Sequence, residues 1–402
     1  MTERPLLVGV GGFLGAGKTT AILAAVERLR ATGTRVAVVT NDQASGLVDT
    51  EVARAAFGTL GTPSAWDDQP GQMVAEISGG CFCCRFDDLA RTLREVIERA
   101  RPDVILAEAV GSCTDLAATV YQPLRQLDLA PVRLGPLTVV ADGTRLRSIA
   151  KFGALPRLPA DVGYLFGQQL AEADVLLLNK IDQLSLEEVG AVRRYLDVHY
   201  PVVPVVAVSA LRGEGMGAWL DLLVARGDSG RRVLDLDYDR YAEAEAALGW
   251  LNLSGTVTLA PEERAAAWVG AVLSHIEGCA AAVGVEIAHV KVLLATGDGA
   301  CRGHLAGGRE AGDARPLPAR RRNGGAVAGE PFIVVSGRLE HEASLTLNAR
   351  VAVEPETLRR WVEEALAAAD AVVGAQTGVS EIACFAPARP VPTYRLQPVA
   401  MA

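Results

Sequence analysis

The octapeptide Gly12-Phe13-Leu14-Gly15-Ala16-Gly17-Lys18-Thr19 constrains this chain more than any other stretch. It satisfies the G-x-x-x-x-G-K-[ST] pattern, follows an apolar run at 6–11 and opens a helix-like stretch at 20–30. That context predicts a strand, a phosphate-binding loop and a helix. Glycines let the backbone curl until its N–H groups converge on phosphate oxygens, and the helix adds the positive end of its dipole. Lys18 then reaches the β- and γ-phosphates, Thr19 holds Mg²⁺, and Thr20 follows in the same turn. Of the 39 basic residues only four are lysines, at 18, 151, 180 and 291, and two of these fall in nucleotide motifs. The plain alternative is a Gly-rich strand-to-helix turn without a ligand.

A chain of 402 residues, half of them hydrophobic, exceeds what one domain needs, so two are expected. Through about residue 225, apolar runs of strand length (6–12, 36–40, 74–78, 104–108, 137–141, 175–178 and 203–208) alternate with helical stretches (20–30, 87–100, 163–173, 187–199 and 218–224). This is the pattern of a parallel α/β sheet with helices on both faces. We assign a P-loop domain to 1–226, a linker to 227–246 and a smaller α+β domain to 247–402. The second domain reads as strands at 250–259, 287–295, 331–339 and 344–353 with helices at 261–282 and 354–369, interrupted by a Gly- and Arg-rich stretch at 297–329 expected to be a mobile loop. The net charge of −9 argues against nucleic acid as the main partner. No apolar run is read as long enough to span a membrane, and the expectation is a cytoplasmic protein.

In a parallel sheet, ligands gather beyond the carboxyl ends of the strands. Asn179-Lys180-Ile181-Asp182 stands there and has the N-K-x-D form of a guanine reader, in which the Asp182 carboxylate accepts from the base N1–H and amine. Ser209 and Ala210, after the next strand, can offer a backbone N–H to the guanine O6. Without a base, Asp182 would simply cap the following helix. Glu108 is a candidate Mg²⁺ carboxylate and Gly111 a close approach to the γ-phosphate. Asp42 is a second metal-shell candidate, although either acid could instead pair with an arginine. Cys81, Cys83 and Cys84 lie within four residues after a Gly-Gly turn, a spacing that lets three thiolates reach one soft metal. Cys113 could lend a fourth thiol, but a small buried filler is the simpler reading. Cys301 and His304 form a C-x-x-H better read as solvated loop, and Cys279, Cys384, His275 and His289 as core or surface residues.

With these motifs in this order, the first 225 residues or so resemble the CobW-type P-loop GTPases, a group linked to metal delivery and cobalamin synthesis. The resemblance implies a slow GTPase with GTP and Mg²⁺ as ligands, acting as a metallochaperone. It matches Cys81, Cys83 and Cys84 to a C-x-C-C metal motif and Asn41-Asp42 to the start of the first switch, which here continues with Gln43-Ala44. Zn²⁺ is the expected metal, with Co²⁺ and Fe²⁺ as alternatives, and the partner a client metalloprotein; a homodimer is also expected as an assembly. A non-catalytic nucleotide-binding metal sensor or buffer is the competing function. An ATP-dependent kinase is disfavoured by the N-K-x-D motif.

Overall fold

The computed structural model describes residues 4–41, 48–56, 72–155, 157–225, 229–259, 264–307 and 332–398. The first half is a sheet of strands β1 (Leu6–Gly11), β2 (Val36–Asn41), β3 (Gln72–Ile77), β4 (Val104–Glu108), β5 (Arg133–Leu134), β6 (Thr138–Asp142), β7 (Val175–Asn179) and β8 (Val205–Ala207). Its order is β3-β2-β4-β1-β6-β7-β8, with the short β5 beside β1, and its pairings are parallel. The strands are apolar along their length because both faces are covered. Side-chain alternation along β1 sends Leu7 to one core and Val8 and Val10 to the other. The Val8 side packs on Ile22 and Val26 of helix α1 (Lys18–Ala31) and on Trp219. Leu7 faces Leu89, Leu93 and Leu165. The remaining helices of this half are α2 (Val48–Ala56), α3 (Phe86–Ala100), α4 (Gln122–Leu127), α5 (Gly143–Phe152), α6 (Ala160–Glu172), α7 (Leu186–His199) and α8 (Met216–Ala225). Chain order reverses on either side of β1, so the phosphate loop opens at the switch point of the sheet.

The second half is an antiparallel sheet of β9 (Gly249–Thr258), β10 (Ile287–Ala295), β11 (Gly299–Leu305), β12 (Phe332–Gly337), β13 (Glu342–Val351) and β14 (Gln376–Phe385), ordered β12-β11-β10-β13-β9-β14. One face is covered by α10 (Ala265–Val283) and α11 (Pro355–Val373), whose Trp268, Val272, Trp361 and Val362 bury Val290, Val292 and Leu294. The opposite face is polar and lies on the first half. Asn348 accepts a hydrogen bond from the Val48 N–H at the start of α2 (3.0 Å) and donates to Asn252 (3.0 Å).

Four expectations need correction. The stretch assigned as linker contains helix α9 (Tyr238–Ala246). Its Asp237 caps the Asp239 and Arg240 N–H groups, Arg240 pairs with Asp161 (2.9 Å), and Tyr241, Ala244 and Glu245 are buried. The polar residues that suggested a linker are cap and ion-pair partners. Likewise, the start of the expected loop is β11, where glycine is required by packing: a Cβ on Gly303 would lie 2.5 Å from Val269 Cγ1. This strand sends Cys301 into the core and His304 to the other face, so the C-x-x-H pair cannot share a metal. The strand β14 was not anticipated at all. Finally, α10 is long and apolar enough to cross a membrane by length and composition. It reads as a core helix, because Trp268, Val269, Val272 and Ile276 are buried against the second sheet.

Candidate functional site

The phosphate loop is shaped by its glycines. Gly12 has φ +123° and a Cβ there would lie 2.1 Å from the Val140 carbonyl oxygen; Gly17, at φ +94°, would meet Asn179 Nδ2 at 2.5 Å. Phe13, Leu14 and Ala16 are buried, and Phe13 meets Phe166 edge to face at 5.9 Å. These three therefore offer a ligand their backbone only. Lys18 Nζ donates to the Gly12 carbonyl (2.9 Å), on the inside of the curl. Thr19 Oγ1 donates to Glu108 Oε1 (2.9 Å), so the hydroxyl and carboxylate expected at Mg²⁺ already converge. Thr20 is exposed on α1. Gly111 presses on the loop, since a Cβ would lie 2.6 Å from Leu14 Cδ2. Gln169 fixes that turn by donating to the Gly111 and Cys113 carbonyls (3.0 and 2.8 Å). Asp42 lies outside the described residues.

The residues expected to read a base occupy the adjoining rim. Asn179 donates to the Ala16 carbonyl (2.9 Å) and accepts from the Ala210 N–H (3.0 Å), tying the two loops together. That bond engages the N–H expected to meet guanine O6. Lys180, in the left-handed region at φ +64°, pairs with Asp142 at 2.6 Å. Burial works against ionisation of Asp142, but the Lys180 and Arg145 charges prevail and hold its carboxyl at about 2. Asp182 Oδ1 accepts from Ser209 Oγ (2.7 Å), whereas Asp182 Oδ2 is buried with no hydrogen-bond partner among the described residues; Arg212 Nε stands 4.0 Å away. An orphaned buried carboxylate oxygen on this rim is what two N–H donors of guanine would satisfy. Asp182→Asn is accordingly expected to weaken GTP binding by roughly 2–4 kcal/mol and to transfer preference to xanthine nucleotide. Calorimetric titration with GTP, ATP and XTP checks it; equal wild-type affinity for GTP and ATP would remove the assignment.

A cavity of about 1610 Å³ joins Lys18, Thr19, Glu108, Asn179 and Asp182 to Lys291, Arg302 and His304 of the second sheet. The sheet abuts the phosphate loop directly, because a Cβ on Gly15 would lie 2.7 Å from Ala306 Cβ and 2.9 Å from the Ala288 carbonyl oxygen. Arg145, itself 4% exposed, clamps the seam: it pairs with Glu286 (3.0 Å) and donates to the Ala288 carbonyl (3.0 Å) and to that of Leu14. His289 is buried on the same seam, and desolvation together with Lys291, Arg350, Lys18 and Arg145 pushes its imidazole well below the usual range. None of these second-half residues was legible as part of the site, since only tertiary packing brings them there.

The three thiols converge at the end of β3. Cys81 Sγ lies 2.6 Å from Cys83 Sγ and 3.4 Å from Cys84 Sγ, with 3.8 Å between the latter two. Three sulfurs on one tetrahedral Zn²⁺ at about 2.3 Å would stand about 3.8 Å apart. Cys113 is buried nearby but lies outside the group of three whose sulfurs fall within reach of one ion. Its S–H and those of Cys83 and Cys84 pull the Cys81 thiol well below its ordinary value, while Cys83 and Cys113 are raised and Cys84 is pushed up to about 11. Asn41, at the end of β2, fixes the thiol loop: it donates to the Ile77 and Gly80 carbonyls (2.9 and 2.8 Å) and accepts from the Phe82 N–H (2.8 Å). A second group, His275, Cys279 and Glu364, lies on the α10–α11 seam.

A family model described as the CobW/HypB/UreG nucleotide-binding domain matches residues 6–206. The chain is 31% identical over 233 residues to the zinc chaperone CobW of Pseudomonas aeruginosa, covering 53% of this chain and 58% of that one. Over 221 residues it is 28% identical to the urease accessory protein UreG of Mycolicibacterium gilvum, covering 52% and 88%. It spans about three fifths of the length of the two CobW relatives it matches, at 58% and 63%. Among solved structures it is similar to the Zn(II)-bound YjiA GTPase from E. coli, at 13% identity and a TM-score of 0.35, covering 92% of this chain and 99% of that one.

Proposed function

The chain belongs to the CobW/HypB/UreG nucleotide-binding family, and from that premise we propose that it is a slow GTPase that loads a transition metal on Cys81, Cys83 and Cys84 and delivers it to a client metalloprotein in the cytoplasm. Zn²⁺ is the metal its thiols fit best, with Co²⁺ and Fe²⁺ as competitors for the same donors. The fourth position is open or borrowed, and Cys113, buried outside the group of three, is one candidate to lend it. Mg²⁺ held by Thr19 and Glu108 would neutralise charge between the β- and γ-phosphates. The protein's own part is to cradle the phosphates with the backbone of residues 12–19, to place the Lys18 charge against them, and to read the base with Asp182. Asp42, which follows Asn41 in the sequence, is our candidate for a second Mg²⁺-shell carboxylate in a nucleotide-sensing switch.

The observation that carries this reading is Asn41. Its three hydrogen bonds hold the thiol loop to the end of β2, the strand that pairs with β4, whose last residue is Glu108. A movement of that strand end on γ-phosphate loss pulls on the backbone carrying the sulfurs. Metal and nucleotide are then coupled, and the coupling is reciprocal, typically worth about 1–3 kcal/mol or roughly 5–150-fold in affinity. The test is a Zn²⁺ titration with a non-hydrolysable GTP analogue, with GDP and with neither. Affinities differing within that range are expected, along with multiple-turnover phosphate release; identical affinities would sink the delivery mechanism, and coupling without turnover would make the protein a sensor.

A further inference from the structure

Cys81 and Cys83 are 5% and 2% exposed, and the segment lying over their neighbour Cys84 is the chain's own C-terminal stretch. After β14 ends at Phe385 on the second sheet, the chain returns to the first half. The Thr393 N–H donates to the Cys83 carbonyl (2.8 Å) and its hydroxyl to the Cys84 carbonyl (3.3 Å). Tyr394 packs edge to face on Phe86 (5.3 Å), the first residue of α3. Arg395 pairs at 2.7 Å with Asp115, a 1% exposed carboxylate two residues beyond Cys113, and the Leu396 N–H donates to the Ala118 carbonyl (2.9 Å). Exposure alternates residue by residue from 391 to 398, and the segment runs without helix or strand pairing, bending once at Thr393.

A metal passes to an acceptor by ligand exchange, and each incoming thiolate must come within about 2.3 Å of the ion. With the segment in place, Thr393 stands on the Cys83 and Cys84 carbonyls and narrows the approach to Cys84, the one half-buried thiol of the three. Two main-chain hydrogen bonds, from Thr393 and Leu396, set the segment on the surface in the mode by which a surface accepts an added strand, while the Thr393 hydroxyl, Tyr394 and Arg395 add side-chain selection. Resting on the metal-delivery reading above, we propose that residues 391–397 are a latch on the thiol site, and that the surface beneath them is where the metal's acceptor docks, as an extended segment that takes over the bonds of Thr393.

Full-length Tyr394→Ala and Thr393→Pro test this, the first removing the ring from Phe86 and the second the N–H from Cys83. Iodoacetamide labelling of the metal-free protein, read by mass spectrometry at Cys83 and Cys84, is expected to run about tenfold faster in both variants, with Thr393→Ser close to wild type. Zn²⁺ removal by a chelator should accelerate equally. A synthetic peptide copying residues 388–398 should restore protection to Tyr394→Ala. Unchanged labelling overturns the latch, and failure of the peptide overturns docking as an extended segment. GTP affinity equal to wild type shows the fold intact; should Tyr394→Ala lose it, Thr393→Pro decides, because it removes the two Thr393 donors and no core side chain. If the wild type takes up no zinc, the delivery reading fails, while the labelling rates still report on the latch.

Discussion

Lys18→Ala is expected to lose GTP turnover by at least roughly 100-fold, because removing one preorganised charge from a phosphoryl-transfer site forfeits stabilisation that solvent cannot replace. The side chain sits inside the glycine curl with Nζ on the Gly12 carbonyl, so its ammonium is already placed before a nucleotide arrives. Lys180 cannot stand in for it, being held at 2.6 Å by Asp142 on the base-reading rim. The fold should survive, since α1 is anchored by Ile22, Ala25 and Val26 rather than by Lys18. Phosphate release under multiple turnover, alongside a thermal melt, measures both halves of the expectation. Turnover persisting in the variant would place the chemistry elsewhere and reduce residues 12–19 to a structural turn.

What could be read without coordinates was local. The phosphate loop, Asn179 to Asp182 and the thiol triplet each depend on side chains a few positions apart following a strand, and strand ends in a parallel sheet fall on one rim by topology. Thr19 meeting Glu108 across 89 positions follows from β1 pairing with β4, as alternating apolar runs imply. Cys113 was read as packing, and it is fully buried behind a turn fixed by Gln169, outside the group of three thiols. Composition misled at α9 and β11, because Asp and Arg serve as caps and ion pairs as readily as they solvate a linker, and Gly fills a tight helix–sheet contact as readily as it loosens a loop. The polar seam of Arg145, Glu286 and His289 had no signal, for nothing in a sequence says which outer face of one domain meets another.

Cys83→Ser is expected to cost more than about 100-fold in Zn²⁺ affinity, beyond the 10–100-fold typical when only an outer-shell partner is lost. The hydroxyl is nearly the same size but remains protonated and hard, and it cannot supply the thiolate that a zinc ion holds at about 2.3 Å. The fold should tolerate the exchange because the loop is fixed by its backbone: the Cys84 and Arg85 N–H groups donate to the Cys81 carbonyl (3.0 and 2.9 Å), and Asn41 grips residues on both sides of the turn. Cys113→Ser should also weaken the site, if its sulfur completes the tetrahedron rather than filling space. Cys301→Ser, buried in the second core, serves as the control that should leave metal affinity unmoved. Competition against a zinc-binding dye distinguishes the three. An unchanged constant for Cys83→Ser would take the triplet out of the metal site. Loss in Cys83→Ser without loss in Cys113→Ser would leave three sulfurs and an open fourth position, the coordination from which a metal is most readily handed to an incoming ligand.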